Sequence, residues 1–298
     1  MNASPSVAVF APAKLNLFLA VTGRRPDGFH DLVSLVTPVD FGDVLRLAVR
    51  PAATADTLEC AAAGVPADAT NLVLRAAVAW RSAGGEAPYV HASLEKRTPA
   101  GAGLGGGSSD AVAALRGLQE LATKPLPADR LAAVAAALGS DCPLFLAAAP
   151  VVLRGRGERV SALEPTARAR LAGRRVLVAK PSFGIETPWA YGRLAAGAPE
   201  AYLAAATAEH RLADWIAGRC DLADLVFNSF EPVAFGKFAA LPTLAARLRE
   251  RCGLQLHLTG SGSACLALLP PKGPRGDPVR EVREAWGPDG FVAIVQLP

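Results

Sequence analysis

The sequence predicts a chain that mixes helices with strands, long enough for one large or two medium domains. Three observations carry that expectation. Residues Val7 to Val21 place Val, Ala or Leu at every odd position, the two-residue period of a strand. Val112, Leu115, Leu118 and Leu121 instead recur every three residues among good helix formers, directly after a glycine-rich loop. With 298 residues, 51% of them hydrophobic, the chain has ample material for a core.

Taken in order, Val7 to Val21 reads as strand with a break at Pro12, Lys14 and Asn16 sharing the face opposite the apolar one. That pair can bracket a polar ligand or form an ordinary solvated strand face. Thr22 to Asp31 is turn-rich, and Pro26-Asp27-Gly28 is turn chemistry that presents Phe29 and His30 at the tip of a connection. Val33 to Val49 reads as further strands around a turn at Asp40 to Asp43. Asn71 to Ala83 reads as a helix with Asn71 near its start, Pro88 to Leu94 as a strand, and Ala128 to Leu138 as a helix stopped by Gly139. Ser140-Asp141-Cys142-Pro143 then turns the chain into the apolar stretch Leu144 to Leu153, in which Asp141 reads as a cap or an Asx-turn residue.

Pro99 to Asp110 is the stretch around which the chain is organised. Glycines at 101, 103, 105, 106 and 107 remove Cβ atoms, so the backbone can take positive φ and approach a bulky ligand. Ser108, Ser109 and Asp110 are residue types that cap a first helical turn. Unpaired N–H groups at a helix start, with the dipole behind them, suit an anion, so this is a phosphate cradle. Gly101, Gly103 and Gly106 satisfy G-x-G-x-x-G, yet Pro99 stands where a dinucleotide fold wants a strand, and Glu120 falls inside the helix. No Lys follows the glycines as in a P-loop. Asp40-Phe41-Gly42 precedes the loop and has no His-Arg-Asp partner, unlike a protein kinase. A flexible glycine linker is the remaining alternative, although linkers do not usually lead into a capped amphipathic helix.

A net charge of +4, with arginines dispersed and not interleaved with aromatics, disfavours nucleic acid and leaves room for an anionic small molecule. Five widely spaced cysteines without C-x-x-C indicate neither a disulfide framework nor a zinc site. The N-terminus shows no basic region before an apolar core. The longest uncharged apolar run, Cys142 to Leu153, is too short to span a bilayer and carries Pro143 and Pro150. A soluble cytoplasmic protein, with no membrane partner, is expected.

Three segments in fixed order carry a resemblance. Ala11-Pro-Ala-Lys-Leu-Asn-Leu-Phe-Leu19, Pro99 to Ala111 and Leu258-Thr-Gly-Ser-Gly-Ser-Ala-Cys265 resemble the three motifs of the galactokinase, homoserine kinase, mevalonate kinase and phosphomevalonate kinase (GHMP) superfamily. Thr22 to Leu32 is similar to the substrate loop of its 4-diphosphocytidyl-2-C-methyl-D-erythritol kinases. Leu138 to Phe145, Gly155-Arg-Gly-Glu158, Pro181 to Pro188 and Asn228 to Pro232 are similar to that family's remaining signatures.

The resemblance implies an α+β, two-domain GHMP kinase fold: an N-terminal domain like the second domain of ribosomal protein S5, then a ferredoxin-like C-terminal domain, with the active site in a cleft between them. Composition places the boundary near Glu164-Pro165, giving an ATP-binding domain over 1–164 and a substrate-binding domain over 165–298, with the last strand, about 291–296, able to return to the first. The implied reaction moves the ATP γ-phosphate, with Mg²⁺ as the accompanying ion, to the 2-hydroxyl of 4-diphosphocytidyl-2-C-methyl-D-erythritol, a cytidine-diphosphate-linked polyol on the non-mevalonate route to isoprenoid precursors. A sister kinase of the homoserine or mevalonate type and a non-catalytic nucleotide-binding module are the alternatives. A monomer or a homodimer would serve.

By the same resemblance, Lys14 and Asp141 would be the catalytic pair. Pro99, Gly101, Gly103, Leu104, Gly105, Gly106, Gly107, Ser108 and Ser109 would hold the ATP phosphates, with Lys96 near the adenine side. Phe29 and Tyr191 would stack the cytosine, His30 would read its edge, and Asn16, Thr187, Gly260 and Gly262 would lie near the polyol and diphosphate. The carboxylate or hydroxyl that holds Mg²⁺ is not identified by the sequence. Two positions depart from the family pattern: Phe29 stands for the commoner tyrosine, and Ser229 for an aspartate after Asn228.

Overall fold

A computed structural model describes residues 5–298. The chain groups into two compact units, one built from the residues up to Ala13, Phe41–Ala100 and Gly105–Ala148, the other from Lys14–Asp40, Gly101–Leu104 and Ala149–Pro298.

In the first unit, β1 (Ser6–Arg24) contributes its opening residues and β2 (His30–Val49) its closing ones. The break expected at Pro12 does not occur. A Cβ on Gly42 of β2 would lie 2.1 Å from the Ala11 carbonyl oxygen and 2.7 Å from Pro12 Cα, so a glycine opposite lets the strand pass through its proline. Nor does β2 turn at Asp40 to Asp43; it runs unbroken for 20 residues. β3 (Thr57–Glu59) lies parallel to β4 (Val90–Glu95), which pairs antiparallel with Val44–Val49 of β2. Between them in sequence, α1 (Leu72–Ser82) starts at Asn71, whose side chain accepts the Val73 N–H as an N-cap.

α2 (Gly106–Leu121) begins six residues before Val112, the first of the periodic positions, so Ser108, Ser109 and Asp110 lie inside its opening turns and do not cap it. Gly105 takes the N-cap position at φ 71°, a conformation that favours glycine. α1 and α2 pack on each other with Val73, Trp80, Leu115 and Leu118 buried, and a Cβ on Gly117 of α2 would stand 2.5 Å from the Leu47 side chain of β2. The fully buried Trp80 satisfies its indole N–H on Gln119 Oε1 at 2.8 Å. α3 (Ala128–Leu138) follows, and α4 (Cys142–Ala147) occupies the start of the apolar stretch after Asp141.

In the second unit, β5 (Val151–Gly155) pairs antiparallel with Leu32–Val36 of β2, and β6 (Arg159–Ala162) pairs with β5. α5 (Pro165–Ala169) leads to β7 (Arg175–Lys180), after which come α6 (Thr187–Ala196), α7 (Ala205–Ile216) and α8 (Leu222–Leu225). The short β8 (Phe227–Asn228) lies parallel to β1 at Phe18 and Leu19. α9 (Glu231–Lys237), α10 (Ala240–Cys252), β9 (His257–Leu258), β10 (Cys265–Leu268), α11 (Pro278–Trp286) and β11 (Phe291–Gln296) complete the chain. β11, β7, β10 and β9 form an antiparallel sheet in that order, whose central strands bury Val176, Leu177, Val178, Leu266 and Ala267. From Ala13 to Val21 both faces of β1 are buried, so Lys14 and Asn16 do not form a solvated face.

Candidate active site

In the second unit, backbone hydrogen bonds join parts of all three motifs. The Lys14 N–H donates to the Leu104 carbonyl at 3.0 Å, and the Ala264 N–H to the Ala102 carbonyl at 3.1 Å. The Asn16 N–H donates to Thr259 Oγ1 at 2.8 Å. Gly260 and Gly262 take φ of 59° and 91°, and a Cβ on Gly260 would stand 2.8 Å from the Gly103 carbonyl oxygen and 3.3 Å from Lys14 Nζ. Lys14 is buried, and its ammonium donates to Asn16 Oδ1 at 2.6 Å. Asn16 in turn donates through Nδ2 to Ser34 Oγ at 2.9 Å, which fixes the amide's orientation and aims its oxygen at the lysine. Thr187, at the start of α6, shares a 2.8 Å hydroxyl hydrogen bond with Ser261, between the two motif glycines.

One turn along α6, the Tyr191 ring lies 4.8 Å from the His30 imidazole, tilted by 33°, and meets Phe230 edge-on. His30 Nε2 is 3.2 Å from the Tyr202 hydroxyl. Burial, aided by Arg24, lowers the His30 pKa below its usual 6.5, so the ring is neutral near pH 7. Phe29 is 55% exposed and carries the Arg156 guanidinium 4.6 Å from its ring centroid.

In the first unit, Gly106, Gly107, Ser108 and Ser109 form the opening turn of α2 behind the left-handed Gly105. Pro99 and Gly101 lie in the approach to the loop, Gly101 at φ 62°. Among the described residues, the buried Ser109 hydroxyl finds no hydrogen-bond partner, nor do Thr98 Oγ1 and Asp110 Oδ1. Asp141 immediately precedes α4 and makes no capping bond to that helix; Cys142 Sγ, beside it, lies 3.8 Å from the Ser108 carbonyl. Lys96 holds its ammonium between Asp43 Oδ2 at 2.5 Å and Asp110 Oδ2 at 2.6 Å. Burial lowers its pKa, but the two carboxylates, Asp110 foremost, raise it by more. Burial, with Asp43 nearby, pushes Asp110 up to about 7 against the pull of Lys96.

Residues 71–148 match the family model for the GHMP kinases N terminal domain. Over 94% of its length, this chain is 38% identical to a 4-diphosphocytidyl-2-C-methyl-D-erythritol kinase from Rhizobium johnstonii, covering 90% of that protein. The chain belongs to the 4-diphosphocytidyl-2-C-methyl-D-erythritol kinase family. A relative of the same name from Methylacidiphilum infernorum is 31% identical over the whole chain and 99% of its own length. A crystal structure of 4-(cytidine 5'-diphospho)-2C-methyl-D-erythritol kinase superposes with a TM-score of 0.76 at 34% identity, covering 97% of this chain and 99% of that one. Homoserine kinase from Cytophaga hutchinsonii, at 17% identity and a TM-score of 0.67, shares the fold. Membership of the family makes the chain an ATP-dependent small-molecule kinase, and the α+β GHMP fold expected from the motifs holds. Among the described residues no helix is long and apolar enough to cross a membrane.

Several further side chains, not expected as site residues from sequence, tie these segments together. Asn228 Nδ2 donates to the carbonyls of Leu258 and Gly260 at 3.0 and 2.9 Å, pinning the third motif, while its Oδ1 accepts the Phe230 N–H. Ser229 Oγ accepts the Val21 N–H at 2.9 Å, so the serine that departs from the family pattern ties this segment to β1. Ser34 is a single polar residue in an apolar run, Leu32 to Val36, whereas Thr259 and Asp43 lie among other polar residues. A buried polar residue in such a run is the signal that points to a satisfied network.

Proposed function

We propose that this kinase transfers the γ-phosphoryl group of ATP to the 2-hydroxyl of 4-diphosphocytidyl-2-C-methyl-D-erythritol. The observation that carries the reading is the set of hydrogen bonds from the Lys14 N–H to the Leu104 carbonyl, the Asn16 N–H to the Thr259 hydroxyl and the Ala264 N–H to the Ala102 carbonyl, which brings parts of the three motifs together. Phosphoryl transfer asks chiefly for positioning and charge stabilisation. The Lys14 ammonium, oriented by Asn16, meets charge that develops on the transferred group. Asp141 accepts the proton of the attacking hydroxyl. N–H groups at the start of α2, with the left-handed glycines before it, receive the ATP phosphates. Gly260 and Gly262, both at positive φ, shape the third-motif backbone that receives the diphosphate of the second substrate, the Gly262 N–H donating to the Thr259 carbonyl at 3.2 Å, with Thr187 and Asn16 beside the polyol. Tyr191 and Phe29 supply faces for the cytosine, and the neutral His30 a nitrogen for its edge.

Among the described residues no three His, Cys, Asp or Glu come together as a cation site. The buried, unpartnered Ser109 hydroxyl is a hard oxygen at the phosphate end of α2, and it fits a Mg²⁺ bound mainly through phosphate oxygens. Magnesium there would neutralise phosphate charge, and Ser109 would hold it. All five cysteines are free thiols, which supports a reducing, cytoplasmic setting.

A coupled ADP-release assay offering the cytidyl polyol, homoserine and mevalonate in turn tests the substrate. Turnover with the cytidyl compound alone is expected. Equal or better turnover with homoserine or mevalonate overturns the assignment.

A further inference from the structure

We propose that Asp43 is a positioning residue for ATP, holding both flanks of the glycine-rich loop through one buried ion network. The inference rests on reading that loop as the phosphate site. Asp43 has no exposed surface in β2. Its Oδ1 accepts the backbone N–H groups of Arg97 at 2.6 Å and Thr98 at 2.7 Å, the residues just before Pro99. Its Oδ2 accepts Lys96 Nζ at 2.5 Å, and the same ammonium donates to Asp110 Oδ2 at 2.6 Å. Asp110 sits in the opening turns of α2, so one carboxylate ties down the segment leading into the loop and, through Lys96, the helix leading out.

The fit leaves no slack. A Cβ on Gly106 would stand 2.9 Å from Lys96 Nζ and 3.0 Å from Thr98 Cγ2, so the ammonium lies directly against the first residue of the helix. A cation beneath a helix N-terminus opposes the helix dipole, and buried ions are costly beside apolar groups of equal volume. Packing alone would not select this arrangement. Aiming N–H groups at a phosphate does, because a misplacement of about 1 Å can cost on the order of 10²-fold in rate.

Asp43→Asn keeps an oxygen for the two N–H groups but turns an amide NH₂ towards Lys96. The KM for each substrate, with the other saturating, and the ATP Kd by calorimetry are the readouts. The KM and Kd for ATP should rise about ten-fold or more, with the KM for the cytidyl substrate within about twofold of wild type. A purely structural role would lower the melting temperature and the active fraction without moving the ATP KM of folded enzyme. An ATP KM within about twofold of wild type in folded Asp43→Asn, or a parallel rise in both KM values, overturns the proposal. If Asp43→Asn does not fold, Asp110→Asn decides by the same readout: it keeps an oxygen for Lys96, and an unchanged ATP KM overturns the proposal. Gly105→Val run in parallel separates the two readings. If it retains nucleotide affinity, the phosphate-loop reading itself fails; if it loses affinity while Asp43→Asn does not, only the positioning role fails.

Discussion

Lys14 shows how a strand residue becomes chemically useful. Its ammonium is buried 2.6 Å from Asn16 Oδ1, an amide that Ser34 holds in place, so the charge is oriented before any substrate arrives. Lys14→Ala and Asp141→Asn should each lower kcat by about 10² to 10⁴-fold while the KM for ATP changes little, because in the proposed mechanism both act on charge that develops during transfer. Steady-state kinetics on the two variants checks this, and near-wild-type turnover in Asp141→Asn would remove it from the catalytic pair. His30 gives a pH test. A base whose pKa is lowered in the fold binds fewer protons there than in the unfolded chain. Its stabilising contribution is therefore complete above 6.5 and declines as pH falls from 6.5 through the folded value. The KM for the cytidyl substrate should stay flat from about pH 8 to 6.5 and rise below that, and His30→Gln should lose the acid limb. An imidazole that titrates by NMR at or above 6.5 would contradict the assignment. The residues proposed to carry the chemistry, Lys14, Asp141 and the glycines, stand in segments whose resemblance to the family is visible in sequence. The roles of Asn228 and Asp43 are not visible there, because they come from carbonyls and amides distant in sequence.

At the scale of elements, composition succeeded where a local signal set the structure and failed where a distant partner did. α1 and α3 begin and end within a residue of their expected bounds, the first under an Asn71 cap and the second stopped by Gly139. β2 defeats the local reading: Asp40-Phe41-Gly42-Asp43 has turn composition, yet each polar residue has a reason to sit in a strand. Asp40 accepts the Gln296 N–H, Gly42 makes room for Ala11, and Asp43 holds Lys96. Likewise α2 starts early because Gly105 supplies a left-handed N-cap that periodicity does not register. That glycine is the sharpest element-level test. A β-branched residue at φ 71° costs about 1 to 2 kcal/mol or more in backbone strain and puts a Cβ where a phosphate would approach. Gly105→Val should lose ATP binding by calorimetry while the protein still melts cooperatively. Retained affinity would return the loop to a linker.

At the scale of the whole molecule, three short motifs spread from Ala11 to Cys265 were enough to indicate family and fold, because each supplies a backbone geometry that many sequences cannot. The division into units has consequences for folding. β1 and β2 each run from one unit into the other, and each unit is assembled from separate stretches of chain. Melting one unit would take away half of a continuous strand from the other, and a strand cannot keep its ladder partners while its own other half loses backbone order. The chain should therefore unfold in a single transition, with no plateau in which one unit survives. Tryptophan offers a probe in each: Trp80 is fully buried in the first unit and Trp215 in the second. Of the chain's 4 tryptophans, variants keeping only Trp80 or only Trp215, the others replaced by Phe, would report each unit separately. Urea titrations followed by fluorescence should give superimposable curves with equal midpoints and slopes, and far-ultraviolet circular dichroism should coincide with both. The C-terminal fragment left by a cut after Ala148 should fail to fold alone, since it lacks Lys14–Asp40 and Gly101–Leu104 of the second unit. Midpoints separated by more than about 0.5 M urea, or a C-terminal fragment that melts cooperatively, would show that the shared strands do not couple the two units.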